Sequence, residues 1–276
     1  MDNKNALDEL RKKYETVKQK NESKGTFNDD LFVKVEKAGE EGAVNVRLLP
    51  GVANPQEFYV QTQNHKIGEN TYACGRLEGD DCPICQLYFD IWKDINKAGK
   101  DSEAGKKAQA WMKEKKGFRP NNLYYMNVLD RRDGKVRVLC QFSDTFEKIM
   151  AGFFDADYGN GEIPVYDPEK GWDFKLVMTK NAGGYTSFVN STYRPKQSKL
   201  DNHETVWAQR HDLNKFKKEV NYEELRAISD LRLNEYRHFC LGIGSAPSTP
   251  ATQPTTAASS DGVGGEDKDF QASLEA

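Results

Sequence analysis

The stretch YACGRLEGDDCPIC, residues 72–85, places three of the chain's five cysteines within fourteen positions, and His65 stands a few residues ahead of them. Cysteines this close together belong to a disulfide knot, a redox pair or a metal site. With 276 residues the chain can bury a sizeable core without covalent staples, so the cluster serves a local purpose. An odd cysteine count and an N-terminus, MDNKNALDELRKKYETVKQK, without an apolar signal core argue against a disulfide framework. No window approaches the apolar run of a membrane span, and the protein reads as cytoplasmic and soluble. A thioredoxin-like pair would use Cys-x-x-Cys within alternating α/β text and would need neither His65 nor Cys74. Zinc uses four thiolate or imidazole donors at short spacing, and His65, Cys74, Cys82 and Cys85 form such a Cys3His set. Eight residues separate the first two and seven the next two, with Gly68, Gly75 and Gly79 available for the turns. Four strong donors fill the shell and no adjacent Glu motif supplies a base, so one structural zinc is expected rather than a catalytic one. Cys140 and Cys240 sit in apolar text and read as small buried hydrophobes; His203, His211 and His238 stand alone in polar text and read as surface residues.

Working outward, residues 5–20 carry Ala6, Leu10, Tyr14 and Val17 at helical spacing among charged residues, predicting a mobile N-terminal helix. Residues 31–35 and 43–49 flank a Gly-containing turn and predict a hairpin. After the cysteines, the text reads as two helices broken near Gly99, with Leu87, Ile91 and Ile95 facing inward. NNLYYMNVLD (121–130) and KVRVLCQF (135–142) predict strands around a turn at Asp133-Gly134. SDTFEKIMAGFF (143–154) predicts a helix capped by Ser and Asp. A second hairpin follows around Gly183-Gly184, then helical text from about 213 to 239. From Ser245 onward core formers almost vanish and the net charge is −4, predicting a disordered acidic C-terminal tail.

Only 37% of residues are hydrophobic against 30% charged, so some segments are expected outside the core. Between Ile91 and Cys140, thirteen Lys and Arg face six Asp and Glu in a chain whose net charge is −3, and such segregation implies an anionic partner. The cations include Lys113, Lys115, Lys116, Arg119, Arg131 and Arg132; Trp92, Trp111, Phe118, Tyr124 and Tyr125 interleave with them. Trp92 and Trp111 read as helix packing. A second acid-free patch holds Tyr185, Phe188, Tyr193, Arg194, Lys196 and Lys199. Flat rings interleaved with cations suit single-stranded nucleic acid, where each stacked base contributes roughly 1–3 kcal/mol whatever its identity while Lys and Arg follow the phosphates. In YY only one of the two adjacent rings can face outward, because side chains alternate along a strand.

In order, VKVEKAGEEGAVNVRLLPG, NHK with His65, YAC, CPICQ, YYMNVLD, GKVRVLCQF leading into FEKIM, and GGYTSF resemble the T-even-type bacteriophage single-stranded-DNA-binding protein family, the helix-destabilising gene 32 type, over roughly residues 27–200. The resemblance implies an α+β fold: an OB-fold β-barrel with a zinc-binding subdomain, a DNA cleft between them and flanking helices. It implies three regions: an arm, residues 1–26, for cooperative self-association on DNA; a core, 27–240; and a tail, 241–276, that recruits replication and recombination proteins. By position, His65, Cys74, Cys82 and Cys85 would hold zinc, and Tyr124, Tyr125, Tyr185 and Phe188 would contact bases. The arm departs from the family pattern; Arg11, Lys12, Lys13 and Thr16 are the nearest equivalents of its basic stretch. The expected function is non-enzymatic coating of single-stranded DNA without sequence preference in phage replication, recombination and repair, in the host cytoplasm. The alternatives are a zinc-stabilised RNA-binding protein, a thiol or zinc enzyme, and an interaction adaptor. An acidic tail can also fold back on a cationic groove in place of phosphate.

Overall fold

In the computed structural model, residues 30–35, 41–115, 117–158, 162–180 and 186–242 are described. The expected N-terminal arm and almost all of the tail therefore lie outside the described residues, as does the Gly183-Gly184 turn. The chain runs β1 (Gly42–Leu48), β2 (Tyr59–Ile67), β3 (Asn70–Ala73), α1 (Pro83–Ala98), α2 (Glu103–Lys115), β4 (Asn121–Asp130), β5 (Val136–Phe142), α3 (Ser143–Phe154), β6 (Trp172–Lys180), β7 (Thr186–Ser187), β8 (Thr192–Gln197), α4 (His203–Ala208) and α5 (Tyr222–Leu241). Short 3-10 turns cover Gly75–Glu78, Ala156–Tyr158 and Leu213–Phe216. It is a mixed α+β architecture of antiparallel strands and five described helices. None of these helices is long and apolar enough to cross a membrane.

Strand β1 turns Val44, Val46 and Leu48, alternate residues, onto one buried face, and it is central because both of its edges are paired. It pairs with β4 on one side and β6 on the other. Strand β5 extends the sheet beyond β4, and β8 extends it beyond β6, giving the order β5-β4-β1-β6-β8. The expected hairpin between 31–35 and 43–49 is therefore not formed. The first segment instead touches β5 through a single parallel bridge, Phe32 to Val138. The β4–β5 hairpin and the helix break after Ala98 are where periodicity and glycine placed them. Helix α3 also has its expected span, but its N-cap is Phe142 and no side chain caps it. Strand β5 runs straight into the helix, so no loop residue is left to do so.

Two apolar cores result. One joins Val46, Met126, Leu139, Ile149, Phe174 and Tyr193 beneath the sheet and α3; the other joins Ile84, Leu87, Ile91, Trp111, Leu225 and Tyr236 between α1, α2 and α5. Strands β2 and β4 pair from Tyr59 with Met126 to Asn64 with Asn121, after which β2 continues alone into its ladder with β3. That ladder carries the chain from the first core to the second.

Two buried charges on the sheet are held by partners. Arg47 is fully buried on β1, donates to the carbonyls of Val165 and Ser198, and lies 3.8 Å from Asp173. Burial lowers its pKa to about 10 despite the attraction of Asp173. Asp130 is likewise sealed and accepts from Arg132 and Arg137 at 2.7 and 3.0 Å. Gly152 on α3 lies against the Tyr193 ring, where an added Cβ would overlap ring atoms on the core side. Gly152→Ala is accordingly expected to destabilise the fold by about 1–3 kcal/mol in chemical denaturation, since the packed ring has no free volume to move into.

Candidate metal centre and nucleic-acid interface

The metal cluster is assembled from three consecutive pieces of chain. His65 lies near the start of the β2 segment that pairs with β3, opposite Tyr72; Cys74 follows β3; Cys82 is the N-cap of α1 and Cys85 lies in its first turn, behind Pro83 at the first helical position. Proline suits that position because its missing N–H would have no helical partner. The Cys82 carbonyl accepts from Gln86 N–H at 2.9 Å, so the knuckle is locked into the helix start.

All four residues are buried and their donor atoms lie within 4.8 Å of one another. His65 Nε2 is 3.3 Å from Cys82 Sγ and 3.5 Å from Cys85 Sγ, and Cys74 Sγ is 3.6 Å from Cys85 Sγ. Tetrahedral bonds of about 2.3 Å to sulfur and 2.0–2.1 Å to nitrogen imply donor separations of roughly 3.5–3.8 Å. The observed spacings match, so the cluster can hold one metal ion. His65 Nδ1 lies 3.0 Å from the Gly117 carbonyl oxygen. That acceptor requires the N–H on Nδ1 and leaves the Nε2 lone pair facing the sulfurs, the outer-sphere arrangement of a metal-ligating histidine. Gly117 itself has φ +76°, and a Cβ there would strike the Lys66 carbonyl. Two contacts from α5 brace the module: Tyr222 donates to Asp80 at 2.7 Å, and Ser229 Oγ to the Pro83 carbonyl at 3.2 Å.

Crowding perturbs these groups in opposite directions. Hydrogen bonds with Cys74 and Cys85 hold the Cys82 thiol far below its ordinary pKa, and hydrogen bonds with Cys74 and Cys82 push the Cys85 thiol far above it. Burial would lower the His65 pKa, but hydrogen bonding to Cys74 and Cys82 outweighs it and raises the value to about 9. Protons held by His65 and Cys85 at neutral pH would thus be displaced on metal binding.

The aromatic residues separate onto two faces. Tyr124 shares the core-side face of β4 with Met126 and stacks on Phe146 of α3, centroids 3.8 Å apart and planes at 5°. Tyr59 of β2 leans on the same Phe146 at 4.6 Å and on Tyr124 at 6.0 Å, and Tyr59 and Tyr124 remain partly accessible. Tyr125 points the other way and is stacked on Phe216 at 4.5 Å and 3°. Its hydroxyl lies against Cys140, whose thiol burial pushes up to about 11. Tyr125 is thus engaged by the chain's own Phe216.

Tyr193 requires a correction. It is 3% exposed, packs edge-on against Phe174 and donates to the Ile149 carbonyl at 3.0 Å, so it is a core residue and not an exposed stacking platform. Its neighbours Thr192 and Arg194 point outward because β8 alternates. Phe188 is half-buried against the sheet core. Among the cations, Lys113, Arg194 and Lys196 are exposed and Arg119 is half-buried. Lys115 pairs with Glu235 at 3.1 Å, Arg131 with Asp173 at 2.9 Å and Arg132 with Asp130 at 2.7 Å, which ties these three to structural carboxylates. Lys116, Tyr185, Arg11, Lys12 and Lys13 lie outside the described residues. Sequence reasoning missed the partly accessible Tyr59 and the buried Phe146 that backs it and Tyr124 from the core. Their adjacency to Tyr124 depends on the β2–β4 register and on where α3 crosses, neither of which has a local signal.

A sheet that shares one strand pair with a buried Cys3His module able to hold a metal ion, and carries half-buried rings beside that pair, defines an α+β class of protein. The sequence profile described as gp32 DNA binding protein like matches residues 40–233, well over half of the chain. The chain belongs to that family. No curated protein matches it in sequence.

Protein purified without chelator is expected to carry one divalent ion per chain by native mass spectrometry. His65→Ala and Cys85→Ser should lose the ion and lower the melting temperature, whereas Cys140→Ser should keep the ion.

Proposed function

We propose that this protein binds single-stranded DNA without sequence preference, coating it during phage replication, recombination and repair, with no catalytic step of its own. The carrying observation is the pair of partly accessible rings Tyr59 and Tyr124, backed by the buried Phe146, at the strand pair leading from the sheet to the Cys3His cluster. In a chain of a DNA-binding family, partly accessible rings in that position are suited to stacking bases. Arg194 and Lys196, exposed together on β8, and Lys113 on α2 would follow phosphates. Stacking and phosphate contacts carry little base information, hence the absence of sequence preference.

The ion is zinc, by the chemistry of three thiolates and one imidazole, and it braces structure because the four donors complete a tetrahedral shell. The sheet is an OB-fold: the order β5-β4-β1-β6-β8, with α3 between its third and fourth members along the chain, follows that five-stranded, partly open Greek-key barrel. The metal module is then an insertion between the barrel's first two strands. The remaining assignments keep their expected bounds: self-association through 1–26 with Arg11, Lys12 and Lys13, a core over 27–240, and recruitment of replication and recombination proteins by 241–276. The setting is the cytoplasm of the infected host.

RNA is the second reading, because stacking does not distinguish it; competition between poly-dT and poly-U separates the two. Titration with single-stranded oligonucleotides is expected to quench intrinsic fluorescence. Tyr124→Ala should weaken binding by roughly 1–3 kcal/mol, about five- to 150-fold, with the fold checked by circular dichroism. Arg194→Glu with Lys196→Glu should flatten the salt dependence by about 1.4 in log–log slope. Tyr193→Phe should leave affinity unchanged while costing about 0.5–1.5 kcal/mol of stability. Salt-independent binding, or none, would refute the proposal.

A further inference from the structure

Beyond the two tyrosines, the face of β2 and β4 that carries them changes chemistry. Alternate side chains share a face, so Tyr59, Gln61, Gln63 and His65 line one side of β2. On β4 the same side holds Tyr124 and Asn122, and the register sets Gln61 opposite Tyr124 and Gln63 opposite Asn122. The floor between the ring pair and the Cys3His cluster is therefore built from primary amides, all of them half-buried. Strands are depleted in Asn, and where β4 carries one farther along, at Asn127, paired bonds to the His211 backbone hold it. Asn122 has no such backbone partner. Its one contact with Gln61, Nε2 to Oδ1, is 3.5 Å long, beyond the ordinary range for an N–H donor. Gln61 Oε1 and Asn122 Nδ2 have no partner among the described residues, and neither is enclosed. Gln63 extends the row but its Oε1 is enclosed, which leaves Gln61 and Asn122 as the accessible pair.

A primary amide presents a donor and an acceptor side by side, and each of the four bases has a donor next to an acceptor on its Watson–Crick edge. We propose that Gln61 and Asn122 hydrogen-bond the Watson–Crick edge of a base stacked at Tyr59 and Tyr124, an inference that rests on the single-strand reading above and deepens it. Side chains opposite one another on paired strands are about 5 Å apart at Cβ, so a base lying on the Tyr124 ring has Gln61 beside it. An amide turns either its oxygen or its nitrogen toward the base, so the pair engages any of the four and binding stays without sequence preference. What it distinguishes is pairing. In a duplex the same edges are bonded to the complementary strand, and the two amides would find nothing to bind. Stacking and phosphate contacts supply affinity for a strand; the amides would supply a contact that only an unpaired base can make.

The test uses the full chain as purified and two end-labelled oligonucleotides, with affinity read by fluorescence anisotropy at one salt concentration. One is oligothymidylate; the other carries difluorotoluene in place of thymine, a ring of the same shape that stacks but offers almost no hydrogen bonds. The unaltered chain is expected to bind oligothymidylate about fivefold more tightly or better. Gln61→Leu/Asn122→Leu should bring the two affinities to within about twofold by weakening only the thymine complex. Should the double variant lose its native circular dichroism, Gln61→Leu alone is expected to narrow the gap, and a gap left intact would overturn the proposal. Equal affinity of the unaltered chain for both oligomers would overturn it while single-strand binding stood. A folded variant that weakened both complexes alike would overturn it too, because the amides would then serve the shape of the floor and not the base. Binding of neither oligomer by the unaltered chain would overturn this proposal together with the reading beneath it.

Discussion

Tyr59 and His65 lie on one strand, six residues apart, and that covalent fact couples the sheet to the metal cluster. At about 3.4 Å per residue the two side chains are separated by roughly 20 Å of rigid, paired backbone. Anything that fixes the His65 imidazole fixes the direction in which β2 leaves the sheet. Because β4 is paired to β2 along the same stretch, the Tyr124 ring is fixed with it. The Gly117 carbonyl, which orients His65, sits between α2 and β4, closing a circuit from metal module to sheet and back. The rings therefore depend on the cluster mechanically, although no ring touches it.

Magnitudes decide what holds that circuit together. Exposed ion pairs such as Lys93 with Asp90 or Lys199 with Glu169 each contribute about 0–1 kcal/mol. The segment from β3 to α1 presents few apolar residues before Ile84, and a piece of chain that small rarely holds shape on hydrophobic burial alone. A structural ion in such a module has an apparent binding free energy of about 10–16 kcal/mol at neutral pH, an order of magnitude above any surface contact here. Helix α5 reinforces it by burying Leu225 and Tyr236 against α1 and α2 and by the Tyr222 and Ser229 hydrogen bonds. The C-terminal helix is thus part of the metal module's wall, although it lies more than a hundred residues further along the chain.

The four residues of the Cys3His cluster were legible because the chemistry of a tetrahedral site constrains both residue type and spacing, and both are written locally. The same holds for the β4–β5 hairpin, whose turn carries Asp133-Gly134, and for the break between α1 and α2 at Gly99, where φ is +89°. Residues 31–35 failed as a hairpin partner because alternation shows that a segment suits a strand, not which strand it meets. Tyr193 failed for a related reason. Its neighbours in sequence are polar and basic, so the segment reads as surface, but β8 alternates and the one inward position in that run fills the space beside Gly152. Local composition describes the majority of a strand's residues, and the core is built from the minority.

The pair Tyr124 and Tyr125 shows what alternation leaves open. One ring had to point away from the other, yet both are flanked by partly buried strand text, and neither neighbour identifies the outward face. The decision is made ninety residues downstream, where Leu213–Phe216 crosses β2 and β4 and lays Phe216 flat on Tyr125. A parallel stack at 4.5 Å occupies the ring face that a base would need, so the chain has already used one of its two tyrosines to fasten its own connecting segment to the sheet. Tyr124 is stacked as well, but on α3, and its partner Phe146 continues the ladder to Tyr59 instead of closing it off. On one face an aromatic stack fastens a connecting segment to the sheet; on the other it extends toward the strand pair that ends at the Cys3His cluster.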